Sequence, residues 1–300
     1  MTLIPYDDRD GWIWFDGKLA PWRDAVLHVC THGLHYASCV FEGERVYGGR
    51  TFKLTEHSER LVHSAHALGF EIPWSVAEID AACREVIEAQ KIEDGYLRPV
   101  AWRGSEQMGV SAQQSKIHLA IASWQWPAYF TPEARLQGIR MQISKWRRPA
   151  PDTAPCNSKA AGLYMICTLS KHAAEAEGYN DALMFDYRGR VAEATGANIF
   201  FAKGGELHTP VPDCFLDGIT RRTVVGLAKK RGYTVNERAV WPNELGEFDE
   251  AFITGTAVEV TPVKEIGPHN YQVGPITRTL LKDFDELVRT EVGARKSAAE

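Results

Sequence analysis

Apolar and polar positions along residues 1–125 fall into stretches whose period switches between two and about 3.6. Trp12 to Leu19 reads as a strand running into a tight turn at Asp16-Gly17. Val40 to Tyr47 is a second strand, meeting a Gly48-Gly49 turn, with Thr51 to Leu54 returning as its hairpin partner. Helical spacing follows: Leu61, His63-Ser64, Leu68 and Phe70 share one face, and Ile79, Ala82, Val86 and Ile87 repeat within Ala77 to Lys91. Two more strands are predicted over Tyr96–Arg103 and Ile117–Trp124.

Residues 127–136 carry Pro127 and Pro132 and no periodicity, so they are expected to link two α/β units, a smaller one over 1–126 and a larger one over 137–300. In the second unit the pattern predicts a strand at Gly138–Ser144, a Pro-rich loop at Arg148–Pro155 and a helix at Ser158–Glu177. Strands at Asp181–Tyr187, Arg190–Glu193 and Asn198–Ala202 come next, and Gly204-Gly205 turns the last into Glu206–Thr209. A helix begins near Thr220, Phe252–Thr254 is a strand, and Ile276–Val292 is a terminal amphipathic helix. Strands interleaved with helices give an α/β (α+β) fold class.

Composition narrows the function classes. Of 300 residues, 44% are hydrophobic and 24% charged, with 34 basic and 39 acidic side chains. That is globular composition with a mildly acidic balance of −5, and the basic residues are scattered, so no nucleic-acid partner is expected. Six widely spaced cysteines without C-x-x-C point to reduced thiols rather than a disulfide frame or zinc ribbon. The acidic, proline-broken N-terminus is unlike a signal peptide, and no apolar stretch nears the roughly 18 residues that span a bilayer. A cytoplasmic protein without a membrane partner is expected.

Phosphate-loop, dinucleotide, zinc-protease and nucleophile-elbow motifs are all missing. His28, His32 and His35 have helical spacing, but Gly33 interrupts them and no acid or thiol sits at a useful offset. Packing or hydrogen bonding is expected there, and no metal site. Lys159, amid small residues at the head of an apolar helix, is either a solvated surface group or a buried amine that must be neutralised, paired or covalently engaged. Glu193, in Val191-Ala192-Glu193-Ala194-Thr195-Gly196, calls for a cationic partner such as a protonated pyridine nitrogen. Leu216 to Arg222 places glycine and threonine just before a helix, where exposed N–H groups suit a phosphate, and Thr254-Gly255-Thr256-Ala257 offers a second anion site. Each signal is ambiguous alone; together they describe a pyridoxal phosphate pocket.

These residues resemble the branched-chain amino acid aminotransferases, fold-type IV pyridoxal phosphate enzymes. The likeness runs from about Gly11 to Val288. It is carried by His32-Gly33-Leu34-His35-Tyr36, Val40-Phe41-Glu42-Gly43, Glu59-Arg60-Leu61, Met108-Gly109-Val110, Ser158-Lys159-Ala160, Tyr164, Glu193, Asn198-Ile199-Phe200, Gly218-Ile219-Thr220-Arg221 and Gly255-Thr256-Ala257. The resemblance implies two α/β domains of the D-amino acid aminotransferase-like type, the C-terminal one binding cofactor. It implies Lys159 as Schiff-base lysine and proton shuttle, Tyr164 on the cofactor's phenolic oxygen and Glu193 on its ring nitrogen. Arg60, Gly218, Ile219, Thr220 and Thr256 would hold the phosphate, and Leu216 the ring face. For substrate it implies Thr256 and Ala257 at the α-carboxylate with Tyr96 nearby, and Arg98 at the distal carboxylate of glutamate. Phe41, Tyr36, Tyr129 and Val110 would line the apolar pocket, Tyr36 and Val110 coming from a neighbouring subunit of a homodimer or higher homo-oligomer. The partners are then amino acids and 2-oxo acids, with L-leucine, L-isoleucine or L-valine giving its amino group reversibly to 2-oxoglutarate in a ping-pong cycle.

Some positions depart from that family pattern. Asp217 stands where proline is frequent, Glu44 where an apolar residue is common and Ala197 where glutamate is frequent, while Asn157 adds an amide beside the lysine. Asp217 is expected to point outward. Sibling activities are less well matched. The strand at Arg98-Pro99-Val100 lacks the histidine with which D-amino acid aminotransferases read a carboxylate, and Met108-Gly109-Val110 disfavours R-amine transaminases. Aminodeoxychorismate lyase is the remaining alternative.

Overall fold

The computed structural model describes residues 4–126 and 129–297, and its contacts form two compact units. The first comprises Met1–Pro127, Ser158–Gly162 and Glu291–Glu300, and the second Ala128–Asn157 and Leu163–Thr290. Ser158–Gly162, expected within the larger unit at 137–300, groups with the first unit.

The first unit runs β1 Trp12–Phe15, β2 Lys18–Pro21, α1 His32–Tyr36, β3 Cys39–Phe41, β4 Glu44–Tyr47, β5 Arg50–Thr51, α2 Leu54–Ala67, α3 Val76–Gln90, β6 Gly95–Arg103 and β7 Ile117–Gln125. Its sheet is antiparallel in the order β2-β1-β7-β6-β4-β5, with β3 also on β6. Alternation along β6 and β7 sends Leu97, Ala101, Leu119 and Ile121 to one face, where Leu61, Ala65, Ile79 and Val86 of α2 and α3 cover them. The strand expected over Val40–Tyr47 is broken at Glu42-Gly43. The break lies opposite Pro99, which has no N–H for the ladder; instead the Pro99 carbonyl accepts from Glu42 N–H at 2.8 Å. The return strand is short as well, since Leu54 already opens α2.

In the second unit α4 Pro132–Gln137 precedes β8 Ile139–Arg148, α5 Met165–Ala176, β9 Asp181–Asp186, β10 Val191–Ala194, β11 Asn198–Lys203 and β12 Glu206–Thr209. Then come α6 Ile219–Lys230, β13 Val235–Glu237, β14 Glu250–Gly255, β15 Glu259–Ile266, β16 His269–Asn270 and α7 Pro275–Ser297. The sheet order is β10-β9-β8-β15-β14-β11-β12-β13, and an additional β10–β11 pairing joins its two arms into a closed ring of strands. Ile139, Met141, Leu183, Ile199, Phe201, Ile253 and Val263 fill the core beneath it. The segment 127–136, expected as a linker, contains most of the short helix α4, which begins at Pro132; Pro127 and Ala128 lie outside the described residues.

A further correction concerns the lysine. The helix expected from Ser158 begins only with a 3-10 turn at Ala161–Tyr164, followed by α5. Residues 159–160 stay out of the helix because their backbone groups are engaged sideways, Ala160 bridging to Val40 and the Lys159 carbonyl accepting from Phe41 N–H. Among the described residues no helix is long and apolar enough to cross a membrane, and all six cysteines are free.

Glu44 is buried in the first unit, and neither of its carboxyl oxygens has a hydrogen-bond partner among the described residues. Burial, with Glu42 and Asp80 nearby, pushes its pKa well above the usual carboxyl range. A carboxyl raised in this way stabilises the fold least at high pH, so stability declines as pH climbs through its folded value. Glu44→Gln is expected to raise stability on the alkaline side by about 1–3 kcal/mol. Denaturant midpoints at pH 6 and pH 9 check this: the gap between variant and parent must widen at the higher pH.

Candidate active site

In the first unit the Lys159 backbone is fixed on both sides. Its carbonyl accepts from Phe41 N–H at 3.2 Å, and its own N–H donates to Ser64 Oγ at 2.9 Å. Nζ stands 5.1 Å from the centre of the Phe41 ring. The Arg98 guanidinium lies 4.7 Å from that ring and 5.2 Å from the Tyr96 ring, within 3.4 Å of the Tyr96 hydroxyl. Burial and the neighbouring Arg60 cation lower the lysine pKa from 10.5 to about 8, against the pull of Glu42 and Tyr96. Lys159 thus keeps a larger neutral fraction near physiological pH than a solvated surface lysine does.

Beneath this group lies Glu42, which has no exposed surface. Arg60 grips it bidentately, Nε to Oε1 at 2.6 Å and Nη2 to Oε2 at 2.8 Å. His57 Nδ1 lies 2.8 Å from Oε2, and Gly43 N–H donates to the same oxygen at 3.2 Å. Burial opposes the charge on Glu42, but Arg60 and His57 outweigh it and hold the carboxyl well below the usual carboxylate range. Burial lowers the His57 pKa despite the opposing pull of Glu42. Gly43 is required sterically: a Cβ there would lie 1.9 Å from the Tyr96 hydroxyl.

Tyr36 and Val110 lie apart from that cluster, as exposed side chains at 44% and 89%. Their loops are tied by His32, whose Nε2 lies 2.8 Å from the Gly109 carbonyl oxygen and whose ring stacks on Tyr36 at 4.5 Å. His28 Nδ1 accepts from Cys30 N–H at 3.1 Å, and His35 Nε2 contacts the Val29 carbonyl at 2.9 Å. Each of the three histidines thus contacts a backbone group, His28 and His35 locally and His32 across to Gly109.

The second unit gathers the remaining residues. A bulge between Val191 and Glu193 interrupts the regular alternation of β10 just before Glu193. Arg148, itself buried, sets its Nε 3.3 Å from Glu193 Oε1 and also reaches the Leu163 carbonyl, next to Tyr164. Burial works against the Arg148 charge, but Glu193 together with the nearby Cys167, Tyr164 and Cys156 outweighs it and raises the guanidinium pKa. Asn198 Nδ2 donates to the Leu216 carbonyl at 3.0 Å and lies 3.5 Å from Glu193 Oε2, while its Oδ1 accepts from Gly218 N–H at 3.2 Å. Gly218 is the N-cap of α6; no side chain among the described residues caps that helix, and Ile219 and Thr220 in its first turn are buried. Thr256 and Ala257 form the turn between β14 and β15, beside Ala197, which a Cβ on Gly255 would touch at 3.4 Å. Tyr129 packs edge-on against Phe130 at 4.8 Å, with Lys171 Nζ 5.6 Å from its ring.

Within one unit, then, Lys159 joins Phe41, Tyr96, Arg98 and Arg60; within the other, Glu193 joins Leu216 and Gly218. Sequence reading gave no role to Glu42, Arg148 or Asn198, although Glu42 and Asn198 lie inside motifs it singled out. Asp217 is half-exposed and paired at 2.9 Å with the buried Arg221 of α6, which also holds Glu237 at 2.8 Å, and it lies 3.6 Å from Arg222 of the same helix. Asn157 is exposed.

A family model described as amino-transferase class IV matches residues 39–266. The branched-chain-amino-acid aminotransferase of Pseudomonas aeruginosa is 41% identical over 296 residues, covering 96% of each chain. Among solved structures, the branched-chain aminotransferase of Thermoproteus uzoniensis with norvaline superimposes with a TM-score of 0.89 at 34% identity, over 94% of this chain and 95% of that one. A T.th. branched-chain amino acid aminotransferase with pyridoxamine 5'-phosphate gives 0.89 at 36% identity, over 93% and 94%. The fold is that of the fold-type IV aminotransferases.

Two outcomes are expected at this site. Acylation of Lys159 in cofactor-free protein, followed by peptide mass spectrometry, rises with a midpoint near pH 8, since only the neutral amine reacts. Arg60→Gln moves that midpoint upward, and a parent midpoint near 10.5 contradicts the assignment. Glu42→Gln leaves Arg60 and His57 without their anion and costs about 3–5 kcal/mol in chemical denaturation.

Proposed function

The chain belongs to the amino-transferase class IV family, and we propose that it moves the amino group of L-leucine, L-isoleucine or L-valine reversibly to 2-oxoglutarate, with pyridoxal 5'-phosphate as cofactor. The observation that carries this reading is Lys159, an amine of lowered pKa held among Phe41, Arg60 and Arg98. The donor set fits the cofactor. There is an amine of lowered pKa for its aldehyde, a carboxylate paired with Arg148 for its ring nitrogen, and the buried first turn of α6 for its phosphate.

When bound, pyridoxal phosphate supplies an electron sink conjugated with the amino acid's Cα. Lys159 Nζ, neutral above about pH 8, takes up and returns the Cα proton. Glu193, matched by Arg148, holds a proton on the ring nitrogen, and Tyr164 faces the phenolic oxygen. Arg60, Gly218, Ile219, Thr220 and Thr256 hold the phosphate, and Leu216 packs on the ring. Thr256 and Ala257 receive the α-carboxylate, with Tyr96 nearby. Phe41, Tyr129, Tyr36 and Val110 accept the aliphatic chain. Arg98 pairs with the distal carboxylate of 2-oxoglutarate, and its stacking on Phe41 and Tyr96 gives it an apolar resting place when the substrate is leucine.

We further propose a homodimer in which Tyr36 and Val110 serve the neighbouring subunit; their exposure, with Leu34 and Met108, supports this. The free thiols support a cytoplasmic location.

Absorbance spectra test the reaction. The visible band of the loaded protein should bleach with L-leucine and return with 2-oxoglutarate, and Lys159→Ala should abolish both changes. Bleaching by D-alanine but not L-leucine would contradict the substrate assignment. Arg98→Ala is expected to raise KM for 2-oxoglutarate at least about tenfold, the loss of one charge-assisted pair, with little effect on KM for leucine. Sedimentation at micromolar concentration tests the dimer.

A further inference from the structure

Asn198 opens β11, where its backbone pairs with Glu193 of β10 on one side and Thr254 of β14 on the other. That Glu193–Asn198 pair is the one that joins β10 to β11. The side chain is 5% exposed and reaches out of the sheet to the loop before α6. There it contacts both neighbours of Asp217: Nδ2 donates to the Leu216 carbonyl at 3.0 Å, and Oδ1 accepts from Gly218 N–H at 3.2 Å. The same Nδ2 stands 3.5 Å from Glu193 Oε2, while the Arg148 contact is to the other oxygen, Oε1.

We infer that Asn198 is a positioning residue whose single amide sets the spacing between the Glu193 carboxylate and the start of α6. The inference rests on the cofactor reading above, in which Glu193 meets the ring nitrogen and the first turn of α6 meets the phosphate. A planar amide suits the task because it carries a donor and an acceptor on one rigid head. An aspartate lacks the donor for Leu216 and brings a second charge to Glu193, and a glutamine is one carbon too long. By taking the Gly218 N–H, Asn198 fixes the N-cap while leaving the first-turn N–H groups of α6 for an anion. Gly218 makes the close approach possible, since a Cβ there would lie 2.3 Å from Asn198 Oδ1. Neither Leu216 nor Glu193 has to be altered for the spacing to fail.

The test compares affinities of the cofactor-free protein for pyridoxal 5'-phosphate and for pyridoxal, which lacks the phosphate, by fluorescence titration. Asn198→Ala should weaken pyridoxal 5'-phosphate by about tenfold or more, the scale of one or two buried hydrogen bonds. It should weaken pyridoxal less, so that the ratio of the two constants shrinks. Gly218→Ala, which displaces the same amide from the other side, should act in the same direction. The double variant should then lose little beyond the worse single one. Asn198→Ser serves in place of Asn198→Ala if the alanine variant does not fold, with the same expected direction. An unchanged ratio, or fully additive losses in the double variant, overturns the inference while leaving the cofactor reading in place. A parent protein that takes up no pyridoxal 5'-phosphate overturns both.

Discussion

Glu42 is a carboxylate without solvent, and its charge persists because Arg60, His57 and the Gly43 N–H close around it. Transferring such a group out of water costs several kcal/mol, and a bidentate guanidinium with further donors is the kind of arrangement that offsets it. The consequences reach well past the pair. Arg60, held by Glu42, is the largest influence on the Lys159 pKa after burial. The break at Glu42-Gly43 that turns the carboxylate inward also gives Tyr96 room for its hydroxyl, and Arg98 rests against Tyr96. The strand break, the arginine and the amine are thus parts of one electrostatic arrangement.

The second unit solves a related problem with less desolvation. Glu193 has Arg148 on one oxygen and the amide of Asn198 near the other, so cation and dipole share the work. Arg148 belongs to the end of β8, Glu193 to β10 and Asn198 to β11. The closed ring of strands is what brings three separate elements to one carboxylate. Side chains on such a rigid frame hold their geometry better than side chains carried on loops.

The departures from the family pattern divide by how their charge is handled. Asp217 is paired with Arg221 and Arg222 of α6, the first a buried guanidinium shared with Glu237, so its charge is offset at the helix start. Ala197 fits closely against the Gly255 turn. Glu44 has no hydrogen-bond partner among the described residues, and burial beside Glu42 and Asp80 pushes its pKa well above the usual carboxyl range.

What the sequence determined by itself was the set of elements with strong periodicity and the chemistry of the motif residues. Val76–Gln90, Gly95–Arg103 and the Asn198–Thr209 hairpin follow from alternation, helical spacing and turn residues, all of which act between neighbours in the chain. Motif order was enough to give the family. Tertiary structure decided the rest, because it depends on groups distant in sequence. Lys159 stands outside the helix because Phe41 and Ser64 claim its backbone, and no local propensity records that claim. Glu42, Arg148 and Asn198 were ordinary polar residues until burial made each one's hydrogen bonds obligatory. A charge becomes informative only when its desolvation and its partners are known, and both are properties of the folded chain.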